Sequence, residues 1–262
     1  MKVLRSKSVL LGLAVMLLVA FSLSACSGSK GGDVFRVGVD DVYPPMEFKD
    51  DKGATVGFDV DLANEIGKKL GKKVEFQSTQ WDGIFTALKA EKFDCIISSV
   101  SVNEERLKEF EFTKPYIANA QVIIVGAKNT DIKSEKDLKD KKVGVQVGTT
   151  ADESAEKFLK ETKFDLKKYE QIIQPFSDMK VGRLDAIIVD EVVARYYAKT
   201  DNASFKVTGG RLTNEPIGIC FKKGNTELRD KVQKAVDDLK ADGTMKKLSE
   251  KWFGEDLVSN VQ

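Results

Sequence analysis

Ser98, Ser99, Ser101 and Arg106 lie close together and carry the groups needed to hold an anion. They follow the apolar run Cys95-Ile96-Ile97, inside the stretch FDCIISSVSVNEER that starts at Phe93. That run reads as a short buried strand, and a short helix is expected from near Asn103. A strand that ends in hydroxyls, with a guanidinium nearby, suits a carboxylate. Arginine presents a planar fork to both carboxylate oxygens, and hydroxyls and loop N–H groups complete the shell. The same residues, taken alone, also describe a serine-rich turn beside a solvated arginine, so their meaning depends on what the rest of the chain brings near them.

Two other strand-like runs end in polar groups. KVGVQV (142–147) leads into Gly148-Thr149-Thr150, and Ala186 to Val189 leads into Asp190-Glu191. The elements that would position these ends alternate between strand and helix. Val34 to Val39, KVEFQ (73–77), AQVIIV (120–125) and IGICF (217–221) read as strands. Leu62, Ile66 and Leu70 recur at helical spacing, and Ile84, Phe85 and Leu88 form one face of a helix that Asp82 is placed to cap. Ser134 and Asp137 have the spacing of a capping box before a short helix. Helices are also expected near Asp152, over Ser177 to Leu184, after Glu191 and twice at the C-terminal end, the last bearing Trp252 and Phe253. The pattern predicts an α/β protein with largely parallel sheets, in which ligands sit outside the carboxyl ends of strands.

Composition excludes several chemistries. The 262 residues contain no histidine, which removes His-based triads, His general bases and His metal ligands. Cys95 and Cys220 each lie in an apolar run without metal-site spacing, so buried thiols are the first expectation and a disulfide the alternative. Neither a metal nor a cofactor is expected. The N-terminus carries Lys2, Arg5 and Lys7, then an apolar run from Val9 to Phe21, then Leu23-Ser24-Ala25-Cys26. This reads as a secretory signal peptide over residues 1–25, too short in its apolar part for a confident membrane span. The ending resembles the bacterial lipoprotein box, which implies a lipidated Cys26 bearing acyl chains such as palmitate. SGSKGG then reads as a flexible tether over residues 26–32. The leader holds three basic and no acidic residues, so its removal leaves 39 basic against 41 acidic, a net −2. That balance argues against a nucleic-acid partner.

Several motifs then fall into one order. They are Tyr43-Pro44-Pro45-Met46-Glu47-Phe48, Gly57-Phe58-Asp59-Val60-Asp61-Leu62, Ser98-Ser99-Val100-Ser101 with Arg106, Phe112-Thr113-Lys114-Pro115-Tyr116, Gly148-Thr149-Thr150, Gly182-Arg183-Leu184-Asp185-Ala186 and Lys251-Trp252-Phe253-Gly254. Together they resemble the polar amino-acid branch of the bacterial extracellular solute-binding proteins, the substrate-capturing subunits of ABC importers. The resemblance spans essentially the whole mature chain. It implies a periplasmic-binding-protein-like type II fold, with two α/β lobes joined by two hinge crossings. Lobe 1 would hold residues 33–118 and 217–262, and lobe 2 residues 119–216.

By that resemblance Arg106 would clamp the ligand carboxylate, with donors from Ser101 and Thr150 reaching it; Ser98 and Thr149, at the polar strand ends, are expected in the same binding site. Ser99 and Asp190 would take the α-ammonium. Tyr43 and Trp81 would line the ligand side chain, and Asp40 would meet its distal end. The acids near Asp40 and the lack of an arginine beside Tyr43 favour a cationic amino acid (arginine, lysine or ornithine). Differences at Met46, Gln146 and Val147 leave glutamine, histidine and cystine open. The family also places the strands of Cys95 and Cys220 side by side. The implied partners are an ABC permease and a membrane reached through the lipid, with the protein itself a monomer. A relative on this scaffold is a prephenate/arogenate-type dehydratase, which would need a general acid such as Glu47 or Glu191. Cys26→Ser is expected to move the protein from the membrane to the soluble fraction on cell fractionation, and persistent membrane association would reject lipid anchoring.

Overall fold

A computed structural model of the chain describes residues 34–259 and 261. The expected signal peptide, the tether and Cys26 lie outside the described residues. No helix among the described residues is long and apolar enough to cross a membrane.

The first lobe begins with β1 (Val34–Val39), a small sheet of β2 (Val42–Tyr43), β3 (Glu47–Lys49) and β4 (Thr55–Val56), then α1 (Phe58–Leu70) and β5 (Lys73–Ser78). It continues through α2 (Trp81–Lys89), β6 (Cys95–Ile96), α3 (Glu104–Glu109) and β7 (Phe110–Phe112). The second lobe contains β8 (Gln121–Gly126), a 3-10 turn (Glu135–Leu138), β9 (Lys142–Gln146), α4 (Thr150–Glu161), β10 (Asp165–Tyr169), α5 (Ile173–Lys180), β11 (Ala186–Asp190), α6 (Glu191–Thr200) and β12 (Phe205–Thr208). The chain then returns to the first lobe with β13 (Cys220–Lys222), α7 (Thr226–Ala241) and α8 (Thr244–Phe253).

Each lobe has one five-stranded sheet, ordered β5-β1-β6-β13-β7 and β10-β9-β11-β8-β12. The expected α/β class with two lobes and two crossings is the class observed. The expected parallel pairing holds for β5-β1-β6 and β10-β9-β11 only. β13 runs antiparallel to β6 and β7, and β8 antiparallel to β11 and β12. The cause is the double crossing. β9 and β11 finish at the cleft, in Gln146 and Asp190, whereas β8 enters from a crossing and starts there, with Gln121 opposite Asp190. A strand that starts where its neighbours end must run the other way. The crossings are hydrogen-bonded to each other: Glu215 N–H donates to Asn119 O at 2.9 Å, Leu212 N–H to Gln121 O at 2.8 Å and Ile217 N–H to Ile117 O at 3.0 Å.

Local signals account for most element ends. The Ser134–Asp137 capping box is present and opens the 3-10 turn. Asn103 caps α3 through a 2.8 Å bond from Arg106 N–H. Asp82 is not a cap; α2 starts at Trp81, so the acid sits in its first turn, where it still complements the helix dipole. α5 begins at Ile173, before the expected Ser177, because Pro175 is tolerated in a first turn. It stops before Leu184 because Gly182 takes a left-handed conformation, at φ 74°, that ends the helix.

Gly57 decides how the small sheet meets α1. Its φ is 139°, and a Cβ there would lie 2.1 Å from Met46 O. With no side chain in the way, Pro45 O and Met46 O accept the N–H groups of Phe58 and Asp59 at 3.0 and 2.9 Å. These carbonyls satisfy donors that every helix start leaves open, and they bring Glu47 beside Asp59. Cys95 and Cys220 are buried free thiols. Their strands are adjacent, but Cys220 pairs with Ile96, so Cys95 points to the opposite sheet face and a bridge would need a register shift.

Candidate functional site

Arg106 projects from α3, a helix of six residues held at its start by the Asn103 cap. Its guanidinium lies 5.5 Å from the Trp81 ring centroid and 5.1 Å from that of Phe85. Nη1 donates to Ser101 O at 3.0 Å. Among the described residues no carboxylate pairs with it within salt-bridge distance. Burial lowers its pKa, yet arginine stays charged at any physiological pH. The second lobe supplies the start of α4 to the same cavity. Thr149 caps that helix, accepting Asp152 N–H at 3.3 Å, and Thr149 O accepts Glu153 N–H at 3.1 Å. Thr150 Oγ1 stands 3.4 Å from Ser101 Oγ across the cleft. A guanidinium facing a helix N-terminus is an anion site by charge and by dipole.

The other end of the cavity is acidic. Asp190 ends β11, and its Oδ2 accepts the Tyr43 hydroxyl at 2.8 Å from the first lobe. Its Oδ1 accepts Asn119 Nδ2 and Gln121 Nε2, each at 2.7 Å. Burial pushes the Asp190 pKa up to about 6, against the hydrogen bonds from Tyr43 and Asn119. Asp40 follows β1 and accepts Gln146 Nε2 at 2.9 Å, a second contact between lobes. Burial pushes its pKa up to about 6 as well, partly offset by Gln146. Trp81 closes the cleft at a third point, with Nε1 donating to Gly148 O at 2.9 Å. Gln121 Nε2 also reaches Thr150 Oγ1 at 3.0 Å and Glu215 Oε2 at 3.1 Å, which ties the cavity wall to both crossings.

The ten residues singled out from sequence, Asp40, Tyr43, Trp81, Ser98, Ser99, Ser101, Arg106, Thr149, Thr150 and Asp190, all line this one cavity. Their side chains differ in what they have left to offer. Ser98 Oγ is already committed, donating to Glu47 Oε1 at 2.7 Å and accepting Asp40 N–H at 3.0 Å. Thr149 Oγ1 serves the cap and donates to Gln146 O at 2.8 Å. Ser99 Oγ is buried with no hydrogen-bond partner among the described residues. Glu47, Gln121, Gln146 and Ala151 also line the cavity, outside that set. Gln121 and Gln146 carried a signal: each is a buried polar residue at the cleft end of a strand whose middle is apolar. Glu191, one of the two glutamates considered as a general acid, is bound by Arg195 at 2.6 Å and Arg211 at 2.7 Å.

Comparisons with known proteins agree on the kind of molecule. Residues 35–255 match the profile of the bacterial extracellular solute-binding proteins, family 3. The L-cystine-binding protein TcyJ of Escherichia coli is 35% identical over 223 residues, covering 85% of this chain and 83% of that protein. An ancestral arginine-binding protein bound to arginine superposes with a TM-score of 0.82 at 44% identity, covering 85% of this chain and 99% of the other. An ancestral amino acid-binding protein described as a precursor of cyclohexadienyl dehydratase gives a TM-score of 0.80 at 43% identity, covering 84% and 96%.

The acidic end has a consequence for stability. Asp40 and Asp190 titrate at about 6 in the fold, against about 3.9 for an unfolded aspartate. The fold therefore binds more protons between these values. The stabilisation is fully present below about pH 4 and is lost as pH rises through about 6. The ligand-free melting temperature is expected to be lower at pH 7 than at pH 5, and the double variant Asp40→Asn/Asp190→Asn should flatten that slope in a thermal-shift assay. An unchanged slope in the double variant would refute the assignment.

Proposed function

We propose that this chain, which belongs to family 3 of the bacterial extracellular solute-binding proteins, captures a cationic L-amino acid between its lobes and delivers it to an ABC import permease. One observation carries the reading: among the described residues, the cavity has a guanidinium without a counter-ion at one end and carboxyls without a cation at the other. A buried charge is costly unless it meets its opposite, and a zwitterion supplies both. Arg106 would grip the α-carboxylate, helped by the first turn of α4 at Thr150 and Ala151. Asp190 and Ser99 Oγ would accept the α-ammonium. Trp81 and Tyr43 would flank the side chain, whose cationic end would take the place of the Gln146 amide on Asp40.

Arginine, lysine and ornithine are the favoured ligands, with glutamine, histidine and cystine as alternatives. Binding would draw residues 119–216 onto residues 33–118 and 217–262 by bending at the two crossings, because a ligand that touches both lobes favours the closed state. The lobe-to-lobe bonds of Tyr43, Trp81 and Gln146 support that motion. A lipidated Cys26 would keep the loaded protein at the membrane beside its permease. A dehydratase acting on prephenate is disfavoured: its substrate carries two carboxylates, and Arg106 is the one basic residue lining the cavity among the described residues.

A thermal-shift screen of the twenty amino acids with ornithine and cystine tests the reading, since a ligand that binds only the folded state raises its melting temperature. Arg106→Ala is expected to cost about 2–5 kcal/mol, at least about thirtyfold in affinity, with the fold intact. Unchanged affinity would reject the clamp. In calorimetry Asp40→Asn should weaken L-arginine far more than L-glutamine, and equal losses would reject the cationic preference.

A further inference from the structure

Below the acidic end of the cavity lies a pair of carboxyls that the ligand roles above leave unexplained. Glu47 enters from β3 and is 1% exposed; Asp59 stands in the first turn of α1 and is 0% exposed. Met46 O accepts Asp59 N–H at 2.9 Å, which sets Glu47 beside Asp59, and each carboxyl acts on the titration of the other. Two buried carboxylates side by side oppose each other's ionisation, which favours one of them keeping a proton.

We propose that Glu47 is the neutral partner, a positioning residue whose proton bridges it to Asp59 and so holds the Ser98–Ser99 turn in the shape the amino acid meets. The inference rests on the amino-acid reading for its consequence, but not for the proton itself.

The bonding decides which carboxyl is neutral. Asp59 already accepts two donors, Ser99 N–H on Oδ2 at 2.8 Å and the Tyr116 hydroxyl on Oδ1 at 2.7 Å. Donors of this kind favour the ionised form. Glu47 accepts only the Ser98 hydroxyl, on Oε1. Treated as a carboxylate, Glu47 would leave its buried Oε2 without a partner. As a hydroxyl, that oxygen donates to Asp59 and the vacancy disappears. The titratable groups around Glu47 are Asp59, Asp40, Tyr43 and Tyr116, and no basic side chain is bonded to it among the described residues. Burial and the Asp59 charge both push its pKa well above the ordinary carboxyl value.

The bridge reaches the ligand wall through two bonds. Glu47 fixes the Ser98 hydroxyl, which in turn receives Asp40 N–H. Asp59 fixes Ser99 N–H. Ser99 needs that hold, because its φ of 49° lies in the left-handed region, which is unfavourable for a residue that carries a side chain. Its Oγ is thereby left unpartnered at the cavity. Glu47 consequently adds no negative charge to the cavity, and preference for a cation falls to Asp40 and Asp190.

Glutamine is the discriminating replacement, since it accepts from Ser98 and donates to Asp59 without a charge. Infrared difference spectra of the full chain at neutral pH should show the carbonyl band of a protonated carboxylic acid, lost in Glu47→Gln. Glu47→Gln should bind L-arginine within about threefold of the parent, whereas Glu47→Ala should lose about tenfold or more by leaving buried groups unpaired. Absence of the acid band, or an equal loss in both variants, would overturn the proposal. If L-arginine fails to bind the parent protein, the amino-acid reading is at fault, and the infrared band still decides the state of Glu47.

Discussion

Buried charge without an opposite charge is the constraint around which the rest of this molecule is arranged. Arg106 lies over two aromatic rings and is bonded to a backbone carbonyl, while Asp40 and Asp190 receive only neutral donors among the described residues. Neutral donors and aromatic faces soften the cost of burial but do not cancel it. The raised pKa values of both aspartates express the remaining strain. A ligand carrying both signs removes it at both ends, so the proposed affinity comes from interactions that the cleft residues do not make with one another.

The fold serves that constraint through strand direction. Strands whose carboxyl ends meet the cleft deliver Ser98, Gln146 and Asp190, and strands that start at the cleft deliver Gln121 and the crossing that carries Glu215. Gln121 touches Asp190, Thr150 and Glu215 at once. The wall of the site is therefore continuous with the crossings about which the lobes would turn. Tyr43, Trp81 and Gln146 each reach across to the other lobe, to Asp190, Gly148 and Asp40. The Glu47–Asp59 bridge is different: both residues belong to the first lobe, and the proposed proton stiffens that wall whether the cleft is open or closed.

Much of this was legible in the sequence because period and motif order are local properties. The alternation of strands and helices gave the α/β class, the Ser134–Asp137 spacing gave its capping box, and three polar strand ends pointed to one cleft. What escaped was non-local. The antiparallel strands follow from the double crossing, which no single run of residues reveals. The faces of Cys95 and Cys220 depend on a register of one residue. Ser98 and Thr149 look like free hydroxyls in a sequence, yet Glu47 and the α4 cap claim them. The acid pair required Gly57, whose missing side chain lets Met46 O sit against the start of α1.

The most direct measurement is a crystal structure of the protein with L-arginine. The account predicts the α-carboxylate on the Arg106 guanidinium and the start of α4, the α-ammonium on Asp190, and the ligand guanidinium at Asp40 where the Gln146 amide now lies. A ligand bound in the reverse orientation, or one whose carboxylate does not touch Arg106, would contradict it.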